Sequence, residues 1–198
     1  MVYRYGFNAG SALVAYASQD RSLLTALCGV NTTLAAGAAG IAALFAHLLI
    51  LERTTGEPFF DLKFAMNGVL AGLASITSGC GVVEPWSAVI IGAVAGLIYV
   101  FGTGLLVRLR LDDAVDAIPV HMTNGIWALI SVGLFASPSR LEVAYGNEFR
   151  HVGWFYSLRN HSGDAHLLGA QTVGVLFIGA WVIGIMLPFF VWLDWKGW

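Results

Sequence analysis

One histidine stands out because it interrupts a long apolar segment. His121 lies within residues 112–136, which open with Asp112 and Asp113 and continue with mostly apolar side chains. If this segment is a helix from Ala114, His121 lies roughly 10 Å along it, in the inner half of a ~30 Å hydrocarbon layer. A neutral imidazole there can donate one hydrogen bond and accept another. The segment therefore predicts either a site for a small polar solute or a histidine bonded to a neighbouring helix.

The residues around His121 are small, helix-breaking or acidic. Ala117 and Gly125 are four residues away on either side and would leave open space beside the ring. Pro119 is expected to bend the helix two residues before the histidine and to free one backbone carbonyl, that of residue 115. Asp116 is expected to be a structural hydrogen-bond acceptor rather than a proton carrier.

The composition is that of an integral membrane protein. Hydrophobic residues make up 58% of the chain, charged residues only 11%, and the mean hydropathy is +0.75. Soluble domains carry roughly 25% charged residues. A net charge of −2 without a basic block argues against nucleic acid as a partner. The two cysteines, Cys28 and Cys80, match no metal site and are expected to be small buried residues, with a disulfide as the alternative.

Six apolar runs predict an all-α, polytopic membrane helix bundle with about five full transmembrane helices and one truncated one. The first run is shorter than the ~20 residues that a spanning helix needs. The pairs Gly68 with Gly72 and Gly92 with Gly96 predict close contacts between helices. The predicted spans are residues 5–17 (partial), 29–51, 64–83, 86–107, 114–136 and 167–193.

The distribution of lysine and arginine predicts an orientation. If the first run ends outside, the short connections rich in these residues face the cytosol, and so does the C-terminus. The long polar loop 137–166 is then outside. Asn160 lies in that loop within an N-x-S/T sequon and could carry a glycan in a eukaryotic host, whereas the sequon at Asn31 falls inside a span.

A second histidine leaves an alternative function open. His47 is expected to be an interfacial residue, because Glu52 and Arg53 follow it and mark the water boundary. A haem- or quinone-binding membrane subunit would instead use His47 together with His121 as ligands. No second histidine is expected at the depth of His121 to pair with it across helices, which argues against this alternative.

Four stretches together resemble the second half of an Amt/Mep/Rh ammonium transporter. They are Gly-Phe-Asn-Ala-Gly-Ser at 6–11, Asn-Thr at 31–32, the glycine-bounded stretch 68–81, and the segment from Asp112 through Asp116 and His121 to Gly125. The resemblance runs in register across nearly all 198 residues.

That resemblance implies a transporter of ammonium or ammonia rather than an enzyme, with no cofactor. The family has eleven transmembrane helices in two inverted halves and forms homotrimers with one apolar pore per subunit. By similarity, Phe7 is one of two stacked rings that gate the outer mouth, and Ser11 helps to hold the ammonium ion there. His121 is the second of two histidines along the pore. The implied partners are ammonium or ammonia and membrane lipid, in the plasma membrane, where the protein would serve nitrogen uptake.

The resemblance also implies that this chain is a fragment that supplies the end of the sixth helix and helices seven to eleven. Arg4 falls where the family has an aromatic or apolar residue, which predicts that residues 1–4 mark a gene-model boundary. The remaining alternative is a truncated, non-conducting subunit that only associates with full-length copies.

Overall fold

The computed structural model describes residues 2–15, 21–146 and 149–197, and within these ranges the chain is helical and contains no β-strand. A π-helical turn, Ile118–Thr123, leads directly into α5. The α-helices are α1 (Val2–Ala15), α2 (Arg21–Thr55), α3 (Leu62–Ser75), α4 (Pro85–Leu109), α5 (Asn124–Phe135), α6 (Pro138–Tyr145), α7 (Trp154–Arg159) and α8 (His166–Lys196).

The long helix α2 is the centre of the bundle and packs against α1, α3 and α4. It presents a stripe of buried alanines, Ala35, Ala39 and Ala43. Gly72 of α3 approaches this stripe so closely that a Cβ there would lie 2.5 Å from the carbonyl oxygen of Ala35. Gly68, Gly92 and Gly96 make equally close approaches to the same stripe. The contacts predicted from these two glycine pairs are therefore confirmed.

The helix expected over residues 64–83 ends early. α3 stops at Ser75, and the chain continues through successive turns to residue 82. Gly79 and Gly81 have low helix propensity. The side-chain amide of Asn31 donates hydrogen bonds of 2.8 and 2.9 Å to the carbonyls of Cys80 and Val83. Because a buried side chain satisfies these carbonyls, the backbone can leave the helix inside an apolar environment.

One end of the bundle is closed by residues 76–84, 136–146 and 149–166, and we call it the loop end. Val83 and Ala136 form an isolated antiparallel bridge, and the N–H of Ser137 donates to the carbonyl of Val82. Glu84 accepts hydrogen bonds of 3.0 and 2.9 Å from the guanidinium of Arg140. These bonds fix α6 against the start of α4.

Four helices within the described residues are long and apolar enough to cross a membrane: Ser22–Thr55, Pro85–Leu109, Ile118–Phe135 and His166–Lys196. α8 has no buried residue. Its start packs against the bundle through Leu167 and Leu168, whereas most of its large apolar side chains from Val173 onward are exposed. Such a helix is stable only in lipid or against other helices. The prediction of an all-α membrane helix bundle is confirmed.

Candidate functional site

The helix that carries His121 starts later than the sequence suggested. It begins at Ile118 rather than at Ala114, so His121 lies in the first turn and not 10 Å along the helix. Asp116 has a φ of +57°, a left-handed conformation that a right-handed helix does not contain. The expectation of a continuous helix from Ala114 was therefore wrong.

Asp113 caps this late helix start. Its two carboxylate oxygens accept hydrogen bonds from the backbone N–H groups of Ala117, at 2.8 Å, and Ile118, at 2.7 Å. The N–H of Ile118, followed by that of Ala117, holds the pKa of the Asp113 carboxyl below its ordinary value. Acidic side chains are favoured at a helix N-terminus because the free N–H groups there attract negative charge.

Pro119 does not bend the helix, contrary to expectation, because it occupies the first turn. A proline there costs no hydrogen bond, since the first N–H groups of a helix have no partner within it. Its carbonyl accepts two hydrogen bonds of 2.7 Å, from the hydroxyl of Thr123 and the amide of Asn124. The turn that follows is π-helical, a form that is frequent at functional sites.

Asp116 is a buried acceptor for three side chains. Its Oδ2 accepts hydrogen bonds from Tyr99, at 3.0 Å, and Asn67, at 3.1 Å, and lies 2.9 Å from the ammonium of Lys63. Both α3 and α4 thus bind the residue that precedes the π-helical turn. This arrangement agrees with the structural role expected for Asp116 and fixes where His121 can lie.

The imidazole of His121 is exposed on the surface of the described chain. Within the described ranges no side-chain hydrogen bond or ion pair involves it. Gly125, one turn further on, has no atom within 4 Å of the place where a Cβ would lie, and Ala117 is also exposed. The ring therefore stands beside open space, where it can accept or donate a hydrogen bond to a small solute.

Phe7 and Ser11 share the exposed face of α1. The opposite face is held to α2 by a hydrogen bond of 2.9 Å from the amide of buried Asn8 to Thr32, and by one of 3.0 Å between Tyr5 and Thr33. Phe7 is 54% exposed. Sequence reasoning did not single out Asn8, although an amide within an apolar helix is a signal for such an anchor.

The three predicted site residues are spread along the bundle. The thiol of Cys80 donates to the carbonyl of Asn8, so α1 packs at the loop end. His121 begins the helix whose other end, at Ala136, also lies at the loop end, and 15 residues correspond to about 20 Å of helix. The structure places Phe7 and His121 at different depths and does not bring them into contact.

His47 makes contacts that differ from those of His121. Its ring stacks on Phe64 with 3.5 Å between the ring centroids and an interplanar angle of 9°, and its Nε2 lies 4.0 Å from a carboxylate oxygen of Asp61. Because Nε2, the nitrogen that would bind a haem iron, lies next to the Asp61 carboxylate, the structure gives no support to a haem ligand at this position.

The two asparagines that lie in N-x-S/T sequons differ in exposure, and the two cysteines do not. Asn160 is exposed at the end of α7, whereas the side chain of Asn31 is fully buried. Cys28 and Cys80 are both buried and free, as expected, and form no disulfide.

The Ammonium Transporter Family matches residues 1–196 of the chain. The chain belongs to the ammonium transporter family. Ammonium transporter Amt2 of Archaeoglobus fulgidus is 42% identical over 135 residues, which are 68% of this chain and 26% of that protein. Ammonium transporter 1 member 2 of Oryza sativa subsp. japonica is 34% identical over 197 residues, covering 96% of this chain and 38% of that protein.

Solved structures agree with this family assignment. The crystal structure of Candida albicans Mep2 superposes with a TM-score of 0.76 at 26% identity, covering 96% of this chain and 38% of that one. The chain thus spans less than two fifths of the length of these relatives. The resemblance seen in the sequence is confirmed, and the family is one of membrane transporters rather than enzymes. The roles of Phe7, Ser11 and His121 stay predictions.

Proposed function

We propose that this ammonium transporter family chain forms one wall of an apolar pore that carries ammonium or ammonia across a membrane. The observation that carries the proposal is that the side chains of Phe7, Ser11 and His121 are all exposed. Each is exposed on a helical element that other residues bind to the rest of the bundle: Asn8 for α1, and Asp116 for the turn that carries His121. The names of the relatives supply the substrate.

The selectivity of such a pore follows from the cost of desolvating an ion. Ammonium and potassium ions are close in size, so a pore that fits a bare cation discriminates poorly between them. An apolar constriction instead penalises any ion that cannot lose its charge. Ammonium can release a proton and cross as ammonia, whereas potassium cannot.

At the mouth of the pore, Phe7 and Ser11 would hold the cation. The face of an aromatic ring attracts cations, and a hydroxyl oxygen accepts a hydrogen bond from ammonium. The Phe7 ring already has a cation above it, since the guanidinium carbon of Arg4 lies 5.7 Å from the ring centroid. This contact supports an accessible ring face at that position.

Further along the pore, the imidazole of His121 would form a hydrogen bond with the solute, either as donor or as acceptor. A neutral imidazole offers one donor and one acceptor, so it can bind ammonia and can also take up or release a proton. The mechanism that we propose is loss of a proton from ammonium at the mouth, followed by passage of ammonia beside His121. The proton either returns to water outside the mouth or follows along the imidazoles of the pore.

The proposed pore needs a second wall, because its three residues face away from the core of the described chain. We propose that further helices of the same family fold supply that wall and that the complete subunits form a homotrimer. The loop end then faces outward and the C-terminus lies in the cytosol of a cell whose plasma membrane holds the transporter.

The proposal is tested by uptake through a chimera that joins the first half of the rice relative to this chain. We expect yeast that lacks its own ammonium transporters to take up methylammonium through the chimera. His121→Ala is expected to reduce uptake at least tenfold or to change selectivity. His47→Gln is the matched control, since it alters a histidine that stacks on Phe64. Equal uptake and selectivity with His121→Ala and with the unsubstituted chimera would contradict the proposal.

A further inference from the structure

A second cluster of titratable side chains lies at the loop end, away from the proposed pore residues. The carboxylate of Asp164 lies between two histidines of the long loop. Its Oδ2 is 2.7 Å from Nδ1 of His151, and its Oδ1 accepts a hydrogen bond of 2.9 Å from the backbone N–H of His166. The hydrogen bond from His151, followed by that from His166, lowers the pKa of Asp164. The carboxylate of Asp164 therefore stays charged in mildly acidic solution.

The cluster joins the end of α5 to the start of α8. His151 lies two residues before Gly153, whose N–H donates a hydrogen bond of 2.8 Å to the carbonyl of Ala136. A Cβ on Gly153 would lie 2.5 Å from the backbone nitrogen of Ala136, so this segment is seated directly on the end of α5. Asp164 and His166 belong to the first turn of α8 and the residues just before it.

The two helices are also in close contact next to the cluster. A Cβ on Gly133 of α5 would lie 2.6 Å from Cα of Leu168 in α8. Such a tight approach leaves no room for α8 to shift without moving α5. Because α5 continues directly from the turn that carries His121, the cluster lies at the opposite end of the helix that begins beside this proposed pore residue.

If one of the two histidines is protonated, its positive charge balances the negative charge of Asp164. If both are protonated, the cluster carries an excess positive charge. The ring centroids of His151 and His166 are 5.0 Å apart, so two imidazolium ions would repel each other beside a single carboxylate. His166 is the first residue of α8, where the helix dipole disfavours a cation. Arg150, the neighbour of His151 in the chain, adds a further positive charge, and Tyr145 lines the same cavity.

We propose that His151, Asp164 and His166 form an acid-sensitive clasp that holds the start of α8 on the end of α5. With one proton, the imidazolium of His151 pairs with Asp164 and the clasp is closed. With two protons, repulsion between the histidines opens it. Opening is expected on acidification at the loop end, because a second bound proton adds a second positive charge beside a single carboxylate. This inference is independent of the substrate that the pore carries.

The test compares the thermal stability of the purified chain in detergent at pH 7.5 and pH 5.0. His166→Gln removes the second imidazolium but keeps the backbone N–H that binds Asp164. We expect this substitution to raise the melting temperature relative to the unsubstituted chain by about 3 °C more at pH 5.0 than at pH 7.5. His161→Asn is the matched control: it alters an exposed loop histidine with a φ of +55°, a conformation that asparagine tolerates. It should leave the pH dependence unchanged.

A second measurement locates the change. Hydrogen exchange of the peptide that covers residues 164–170, corrected for the intrinsic effect of pH, should accelerate at pH 5.0 in the unsubstituted chain and not in His166→Gln. Equal acceleration in both proteins, or the same pH dependence of melting in both, would overturn the clasp. Neither readout depends on ammonium transport, so a failure of the transport proposal would be seen separately.

Discussion

The phenol of Tyr99 donates a hydrogen bond of 3.0 Å to Oδ2 of Asp116, and both side chains are buried. This bond ties α4 to the residue whose left-handed backbone directs the chain into the π-helical turn. The position of His121 is thus set by a polar contact from another helix as well as by its own segment.

Removing this donor should destabilise the protein. Tyr99→Phe deletes the hydroxyl and leaves Asp116 with Asn67 and Lys63. We expect the free energy of unfolding to fall by about 1–2 kcal/mol, because a buried charged acceptor loses one of its partners. Unfolding of the purified chain in detergent, followed by far-ultraviolet circular dichroism, measures this loss. Tyr156→Phe on α7 is the control, and an equal loss in the two variants would contradict the assigned role of Tyr99.

The close contact between α2 and α3 should not tolerate a larger residue. A side chain at position 72 would meet the carbonyl oxygen of Ala35 at 2.5 Å and the Cβ of Ala39 at 2.6 Å. Gly72→Val is therefore expected to lower the free energy of unfolding by about 1–3 kcal/mol. Gly37→Val adds the same side chain to an exposed position of α2 with no atom within 4 Å. If both variants unfold at the same temperature, the packing described for Gly72 is incorrect.

The salt bridge between Glu84 and Arg140 should make the stability of the protein sensitive to acid. Burial raises the pKa of Glu84, but hydrogen bonds from Arg140, Ser139 and Ser137 and the charge of Arg140 outweigh it, so the pKa lies below its usual 4.5. A lowered carboxyl pKa gives stability that is complete above the usual value and is lost as the pH falls through the lowered one.

We accordingly expect Glu84→Gln to reduce the melting temperature at pH 6 and to flatten its decline between pH 6 and pH 3. Scanning fluorimetry over this range measures both effects. Glu142→Gln, an exposed substitution on α6, serves as the control. A decline as steep in Glu84→Gln as in the unsubstituted chain would show that another carboxylate is responsible.

The proposed orientation can be tested by cysteine labelling, because the two native thiols are only 0% and 3% exposed. Arg159→Cys places a thiol on the exposed end of α7, and Glu57→Cys places one on the exposed connection before α3. In intact cells, a membrane-impermeant maleimide should label position 159 and reach position 57 only after permeabilisation. The reverse labelling pattern would invert the orientation.

Much of the bundle could be predicted because it depends on local patterns. The glycine pairs of α3 and α4 and the alanine-rich α2 signalled their contacts through spacing alone. Four of the six apolar runs correspond to helices that are long and apolar enough to cross a membrane, among the described residues. The break after Ser75 could not be predicted in the same way, because it requires the Asn31 amide, which comes from another helix.

The start of the His121 helix shows the same limit. An apolar run from Ala114 with acidic residues before it is typical of a capped helix, and Asp113 does cap one. The helix starts four residues later because Asp116 turns the backbone while bound by Tyr99, Asn67 and Lys63. These three partners lie 17 to 53 residues away in the sequence, so no local sequence pattern predicts these contacts.

The central claim is that Phe7, Ser11 and His121 face one passage through the membrane. A cryo-electron microscopy map of the chimera in lipid nanodiscs tests this most directly. We predict a continuous narrow passage with Phe7 and Ser11 at its mouth and the His121 imidazole exposed to it about midway. A map in which His121 contacts lipid, or in which bulky side chains separate it from the vestibule beside Phe7, would contradict the claim.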